Sequence, residues 1–341
     1  LTFLSESIFN FHDIVAVKTR CASAFQKSFF EDEYQYHQVD VKPSDLPTVE
    51  FSYTNLRART PEMVTYQHKV LAKFGYTIAL GENLIKINVA GNNIGIPIAH
   101  HMLLHTSLRY LTAQKGFVLL HSGAVAKNGK SLLFSGKGGS GKTTMTSLIL
   151  SSDQGWNIHA DDYVFLSEGK TRTYVTRAHL YRDLLRWVPQ IKNKLTLKER
   201  IALSIFGFVR ETSNEGIKWP VRMEFSRLWP NISIANTAIP GGLILLSRED
   251  VNTPSLVENN NLDLAVDELV EMNFFEARHF IHLVKKAGVY SDSWYQQWYN
   301  REKTNLRDFL SKVPLYTLRL PKRSTTNSNQ KVLSIFEEIV S

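Results

Sequence analysis

Gly136-Lys137-Gly138-Gly139-Ser140-Gly141-Lys142-Thr143 is the stretch on which the fold turns. It matches G-x-x-x-x-G-K-[ST] in full. The apolar run Ser131-Leu132-Leu133-Phe134-Ser135 leads into it, and a helical pattern from Lys142 to Ser151 leads out. Each residue type has a physical task. Glycines allow backbone conformations closed to other residues and let N–H groups crowd round a phosphate. A helix that starts at the loop turns its positive end toward the same anion. Lys142 is a cation for the β- and γ-phosphates, and Thr143 offers a hydroxyl to Mg²⁺. Gly136, Gly138, Gly139, Ser140, Gly141, Lys142, Thr143 and Thr144 are therefore the expected contacts of nucleotide phosphates.

Upstream, Phe117 to Leu120 reads as a strand that ends at His121, with a bend at Ser122-Gly123. Ala124 to Ala126 continues to Asn128-Gly129, the strongest short signal of a hairpin. The return strand then brings His121 toward the loop end of the sheet. Downstream, Trp156 to Ala160 reads as a strand that delivers Asp161-Asp162 to its carboxyl end, where ligands of α/β sheets bind. Two carboxylates there have two natural tasks, holding a divalent cation and accepting a proton from an attacking hydroxyl. Asp161 is the expected base and Asp162 the expected cation ligand with Thr143, with the reverse assignment left open.

The rest of the chain places this core. The first 95 residues or so read as short strands, among them Thr48 to Thr54, Tyr76 to Leu80 and Leu84 to Val89. Turns at Gly81-Glu82-Asn83 and Gly91-Asn92-Asn93 separate them, and Val41 to Pro47 reads as a loop. Residues 97 to 114 have helical spacing and stop at Gly116. Past the carboxylates come an apolar strand at Gly242 to Leu246 and helices at 262–287 and 291–312. A strand at Leu315 to Leu320, a polar loop at Ser324 to Gln330 and a last helix from Gln330 to Ile339 close the chain. The Tyr/Trp-rich segment Tyr290 to Asn300 reads as helix packing. The expectation is an α/β protein with a strand-rich subdomain over 1–115, ending in a helix, and a P-loop domain over 116–341.

Composition narrows the class. The 341 residues carry 40 Lys+Arg against 32 Asp+Glu, a net +8, and 43% are hydrophobic, which excludes wholesale disorder. A single cysteine, Cys21, excludes an internal disulfide and suits a reducing compartment. No apolar run approaches the roughly 20 residues of a membrane span, and the start has no secretory pattern, so a soluble cytoplasmic protein is expected. No nucleic-acid-binding module is visible. The charge is uneven. Between Lys170 and Arg200 there are nine Lys/Arg and two acids. Arg172, Arg177 and Arg182 in that segment are candidates for clamping the transferring phosphate or an acidic substrate.

The series Leu119-Leu120-His121-Ser122-Gly123-Ala124-Val125, Gly136 to Thr144 and His159-Ala160-Asp161-Asp162-Tyr163-Val164 resembles the HPr kinase/phosphorylase family. It is similar, too, to ATP-dependent phosphoenolpyruvate carboxykinase, which shares that fold. The clear match covers residues 117 to 166. The resemblance implies a P-loop kinase core of the HPr kinase/phosphoenolpyruvate carboxykinase type. It implies ATP on Lys142 and the loop amides, Mg²⁺ on Thr143 and Asp162, Asp161 as base, and His121 near the transferred phosphoryl group. The Glu-Val-Arg-Gly-Leu-Gly-Ile signature of the bifunctional members has no equivalent, the nearest stretch being Trp219 to Glu224. The chain therefore looks more like the stand-alone serine kinases of that family that modify peptides. The expected activity is ATP- and Mg²⁺-dependent phosphorylation of a serine hydroxyl in a peptide or protein; the basic segment suits an acidic substrate, and an oligomer is compatible with the sequence. The alternatives are a kinase of free serine or another metabolite, a carboxykinase-like enzyme, and a nucleotide-binding regulatory module.

Overall fold

A computed structural model describes residues 5–41, 43, 45–68, 71–213, 219–322 and 326–340. The chain is mixed α/β. The elements before residue 115 are β1 (Ser5–Phe11), β2 (Val15–Cys21), α1 (Ala24–Glu33), β3 (Gln38–Val39), β4 (Thr48–Asn55), β5 (Val64–His68), β6 (Ala72–Ala79), β7 (Leu84–Gly91), α2 (Gly95–Ala99) and α3 (Thr106–Gln114). A π-helical turn, His100–His105, joins α2 to α3, so the expected helix at 97–114 is one continuous helical rod. Gly116 ends it with φ +83°, a conformation L-residues rarely adopt. Lys42 and Ser44 of the expected loop lie outside the described residues.

Next come β8 (Val118–Lys127), β9 (Lys130–Ser135), α4 (Lys142–Leu150), β10 (Asn157–Ala160), β11 (Tyr163–Ser167), β12 (Lys170–Arg172), β13 (Ala178–Leu180), α5 (Leu184–Trp187), α6 (Leu197–Thr212), β14 (Val221–Met223) and α7 (Phe225–Leu228). The chain closes with β15 (Thr237–Glu249), β16 (Ser255–Glu258), α8 (Leu262–Lys286), α9 (Asp292–Leu310), β17 (Leu315–Pro321) and α10 (Thr326–Val340). Two expectations are corrected. β8 runs unbroken through Ser122-Gly123, so His121 lies inside a strand rather than at its end. The last helix starts four residues early, at Thr326, because Ser and Asn suit a first helical turn as well as they suit a loop; Ser324 and Thr325 lie outside the described residues.

Two compact units form, and a single cut at 115/116 does not separate them. One unit is Leu1–Leu119 with Val270–Leu306; the other is Leu120–Leu269 with Arg307–Ser341. The first unit holds a seven-stranded sheet in the order β3-β1-β2-β4-β7-β6-β5, parallel at β2-β4-β7 and antiparallel elsewhere. Its core is aromatic, with Phe9, Phe11, Phe30, Phe51, Tyr53, Phe74 and Tyr76 fully or almost fully buried. Most of α9 belongs here, and Trp298 is wholly buried against Phe274 and Tyr110. The aromatic segment at 290–300 packs, as expected. The unit also buries an ion pair: Arg109 is bidentate to Glu302 at 2.7–3.1 Å, and Asn273 donates to the same carboxylate at 2.6 Å.

The second unit is built on a mixed sheet whose centre is β8-β9-β15-β17. Asn128 (φ 52°) and Gly129 (φ 77°) make the two-residue hairpin, and Ser122 pairs with Ser135. β9 and β15 are parallel, with Leu245 beside Ser135, and β15 is parallel to β17. β10 pairs antiparallel to β8, with Ala160 opposite Ala124. β9, β10 and β15 therefore point the same way, and their carboxyl ends share one edge of the sheet with His121. Leu132, Phe134, Met145, Ile149, Ile244 and Phe336 form the apolar layers that hold α4 and α10 against the sheet.

Candidate functional site

The shared edge gathers the residues singled out in the sequence. β9 ends at Ser135, the Gly-rich loop follows, and α4 starts at Lys142. Gly139 (φ 84°) and Gly141 (φ 111°) take left-handed conformations, which is why glycine stands there. Lys142 is buried and donates to the Gly136 carbonyl at 2.8 Å, so its ammonium stays inside the curl of the loop. The Ser140 Oγ is buried with no hydrogen-bond partner. A buried hydroxyl without a partner in a Gly-rich loop leaves a donor for an anion's oxygens.

Opposite the loop stand Asp161 and Asp162. The Ser122 N–H donates to the Asp162 carbonyl at 2.9 Å, fixing the turn after β10 to β8. Asp161 is 2% exposed, with Thr143 of the loop near its carboxylate. The His179 N–H reaches the same carboxylate at 3.4 Å. Burial, then the charge of Asp162, push Asp161 well above the ordinary carboxylate range. Asp162 is half-buried, and its Oδ2 lies 2.8 Å from His179 Nδ1. Burial acts to raise its carboxyl too, but His179, His121 and Lys142 outweigh that and hold it well below the usual range. The two acids are thus unlike: Asp161 is buried, and Asp162 is the more exposed and is paired with His179.

His121 stacks on Tyr163, with ring centroids 5.0 Å apart, and lies close enough to Asp162 to favour its charge. The register Ser122↔Ser135 puts it beside Gly136, at the loop end of the sheet. His159, in the same sequence run, is a core residue instead. It is fully buried between the Ala235 carbonyl at 2.5 Å and Thr171 Oγ1 at 2.9 Å.

Two participants escaped the sequence reading. His179 lies on β13, in a stretch read only as basic. The alternation of buried Ala178 and Leu180 around it was the available signal. Tyr181 follows two residues on, and the Asp162 and Asp161 charges act on its phenol, which burial pushes up to about 12. Tyr181 also lines a cavity of about 140 Å³ with Arg182, Arg186, Leu203, Phe206 and Trp219. Of the three arginines expected as a clamp, Arg182 is in that wall. Arg172 instead donates to Ser167 Oγ at 2.9 Å on the β11–β12 hairpin, and Arg177 donates to the Arg222 carbonyl at 3.4 Å. Arg172 and Arg177 are thus each engaged by a local partner.

The side chains of Asp161, Asp162 and His179 converge so that one ligand atom of each lies within 4.8 Å of the others. Two carboxylates and an imidazole, with Thr143 close by, are a donor set that a divalent cation can take. No helix among the described residues is long and apolar enough to cross a membrane. No protein-family model matches the chain, and no curated protein matches it.

Proposed function

We propose that the chain is an ATP- and Mg²⁺-dependent kinase that phosphorylates a hydroxyl, that of a serine in a peptide or protein, on a P-loop core of the HPr kinase type. The observation that carries this reading is the convergence of Asp161 and Asp162 with His179 at the end of β10, close enough to Lys142 of the phosphate-loop motif for its charge to act on Asp162. It ties the phosphate loop to the acid pair, the combination phosphoryl transfer needs.

The residues divide the work. The loop amides and Lys142 hold the phosphates and spread their charge. Thr143 and Asp161 are the oxygen donors for Mg²⁺, which when bound neutralises charge on the phosphates. Asp162 is the acid that an acceptor can touch, since it is the more exposed of the two, with His179 orienting its carboxylate. Its low pKa does not disqualify it: in a loose transition state the proton leaves late, so a base must be well placed more than strong. This takes the reverse assignment that the sequence left open, because Asp161 is buried and Asp162 is the more exposed acid. The cavity beyond Tyr181 supports an acceptor larger than a free amino acid. His179 and Tyr181 are two residues apart on extended backbone, about 7 Å, so a group seated there is about two residues from the acceptor hydroxyl.

Variants separate the roles. Asp162→Asn is expected to lower kcat by about 10²-fold or more while ATP affinity stays within a few-fold. Asp161→Asn is expected to raise the Mg²⁺ concentration for half-maximal activity by about tenfold or more. Labelled ATP offered with serine-containing peptides and with free serine reads the acceptor. Transfer of label to nothing in a broad panel, with ATP bound tightly, would refute the kinase. An Asp161→Asn variant that binds ATP with Mg²⁺ as tightly as the parent, yet shows no turnover, would restore the roles first expected.

A further inference from the structure

We propose that Arg248 is a second cationic ligand of the nucleotide's terminal phosphates, acting from the β15 side of the loop. The inference rests on the nucleotide-binding reading above and adds a residue that lies outside every motif in the sequence.

Four observations converge on it. First, β15 runs parallel to β9 with Leu245 beside Ser135, so the chain two and three residues on stands beside the start of the phosphate loop. A β-carbon built on Gly136 would lie 3.1 Å from the Leu246 carbonyl, which confirms that closeness. Second, the guanidinium of Arg248 rests against the loop. A β-carbon on Gly141 would lie 2.8 Å from its Nη2. Gly141 immediately precedes Lys142, so Arg248 and the lysine flank one turn of backbone. Third, the side chain is held rather than loose. Its guanidinium carbon lies 4.5 Å from the centroid of the Trp187 ring, and Nη1 donates to the Pro321 carbonyl at 3.2 Å. Fourth, it is half-buried without a carboxylate. Among the described residues no acid pairs with it: Asp183 acts only at longer range and pairs with Arg210 at 3.3 Å, and Glu249 pairs with Arg319 at 3.7 Å.

A partly desolvated guanidinium with a free donor edge is costly unless an anion completes it. Stacking on Trp187 fixes the plane of the fork, and a planar fork matches the oxygens of a phosphate. Glycine at position 141 is then required twice, for its φ of 111° and for the room its missing side chain leaves Arg248. Arg248 takes no part in bond making. It supplies charge and two donors to the phosphate chain that Lys142 holds from the other side.

The test is nucleotide affinity by titration calorimetry on the full chain, with adenosine, AMP, ADP, ATP and tripolyphosphate as probes. Arg248→Met is expected to weaken ATP and tripolyphosphate by about 10- to 100-fold, the loss of a charge-assisted contact. AMP and adenosine should stay within about twofold, and Arg248→Lys should recover part of the loss by restoring charge without the fork. Equal losses for AMP and ATP, or a lowered melting temperature with ATP affinity unchanged, would make Arg248 a strut for Trp187 and overturn the proposal. Lys142→Ala serves as the control. If it loses ATP while Arg248→Met does not, Arg248 alone is misassigned. If the unmodified chain binds neither ATP nor tripolyphosphate, the nucleotide reading itself fails and this inference with it.

Discussion

Gly123 explains how a motif residue can matter without touching a ligand. It lies in the middle of β8, where a side chain would point at α4 and at the turn that carries the acid pair. A β-carbon there would meet Thr146 Oγ1 at 2.7 Å and the Asp161 carbonyl at 3.1 Å. Thr146 Oγ1 is itself buried and has no hydrogen-bond partner, so nothing else competes for that space. Gly123→Ala should therefore cost about 1–3 kcal/mol by overpacking. The companion Thr146→Ala should return part of that loss, because it removes the atom in the way. Denaturant unfolding of the two single variants and the double variant measures the coupling, and strict additivity would refute the contact. At this scale the sequence was readable where chemistry is contiguous. Gly136 to Thr143 and Asp161-Asp162 are adjacent residues with adjacent tasks. His179, Tyr181 and Arg248 reach the site through tertiary folding, and no local spacing announces them. Gly123 was visible but misread, since glycine in a strand signals a bend as readily as a close approach.

Among single elements, α6 shows the strongest local self-specification. Thr196 caps it: its Oγ1 accepts from the Glu199 N–H at 3.3 Å, and Glu199 accepts from the Thr196 N–H at 2.8 Å, a complete capping box. Arg227 from α7 grips the same carboxylate in two bonds of 2.6 and 2.7 Å. Those bonds, Arg227 first, hold the Glu199 carboxyl at about 2, below its ordinary value of 4.5. The sign follows. The folded state prefers the ionised form, so the contribution is whole above about pH 4.5 and fades as the pH falls toward 2. Thr196→Ala should cost about 1 kcal/mol at neutral pH, and Glu199→Gln should flatten the acid limb of stability between pH 4.5 and 2. A Glu199→Gln profile parallel to that of the parent would count against the bridge. Elements as such were largely legible. The hairpin at Asn128-Gly129, β4, β7, α4, α8 and α9 fall where turn chemistry and periodicity place them. Segments 170–180 and 219–236 were not, because their strands are three residues long, too short for an alternation to stand out from its surroundings.

The division of the whole molecule is the feature that local reading was least able to supply. A chain that begins with strands and continues with a P-loop suggests two consecutive domains, but the first unit recruits Val270–Leu306 from far downstream. The reason is a charge. Arg109 on α3 is 2% exposed, and its partner Glu302 on α9 is fully buried, 193 residues away. Phe274 and Trp298 lie 4.9 and 5.3 Å from the same guanidinium. Cut the chain at 115 and that guanidinium loses its counterion together with Phe274 and Trp298, and the face of α3 that they cover is bared. Removing one partner of such a pair costs about 3–5 kcal/mol, a large share of the 5–15 kcal/mol that typically holds a domain together. A fragment comprising residues 1–115 should therefore fail to unfold cooperatively. In the full chain Glu302→Ala should cost about 3–5 kcal/mol, while Arg109→Leu with Glu302→Leu together should cost much less than Glu302→Ala alone, since two apolar groups leave no orphaned charge. Circular dichroism during denaturant titration reads all three. Cooperative melting of the isolated 1–115 fragment would show that the strand-rich sheet is self-sufficient, and that the late helices merely cover it.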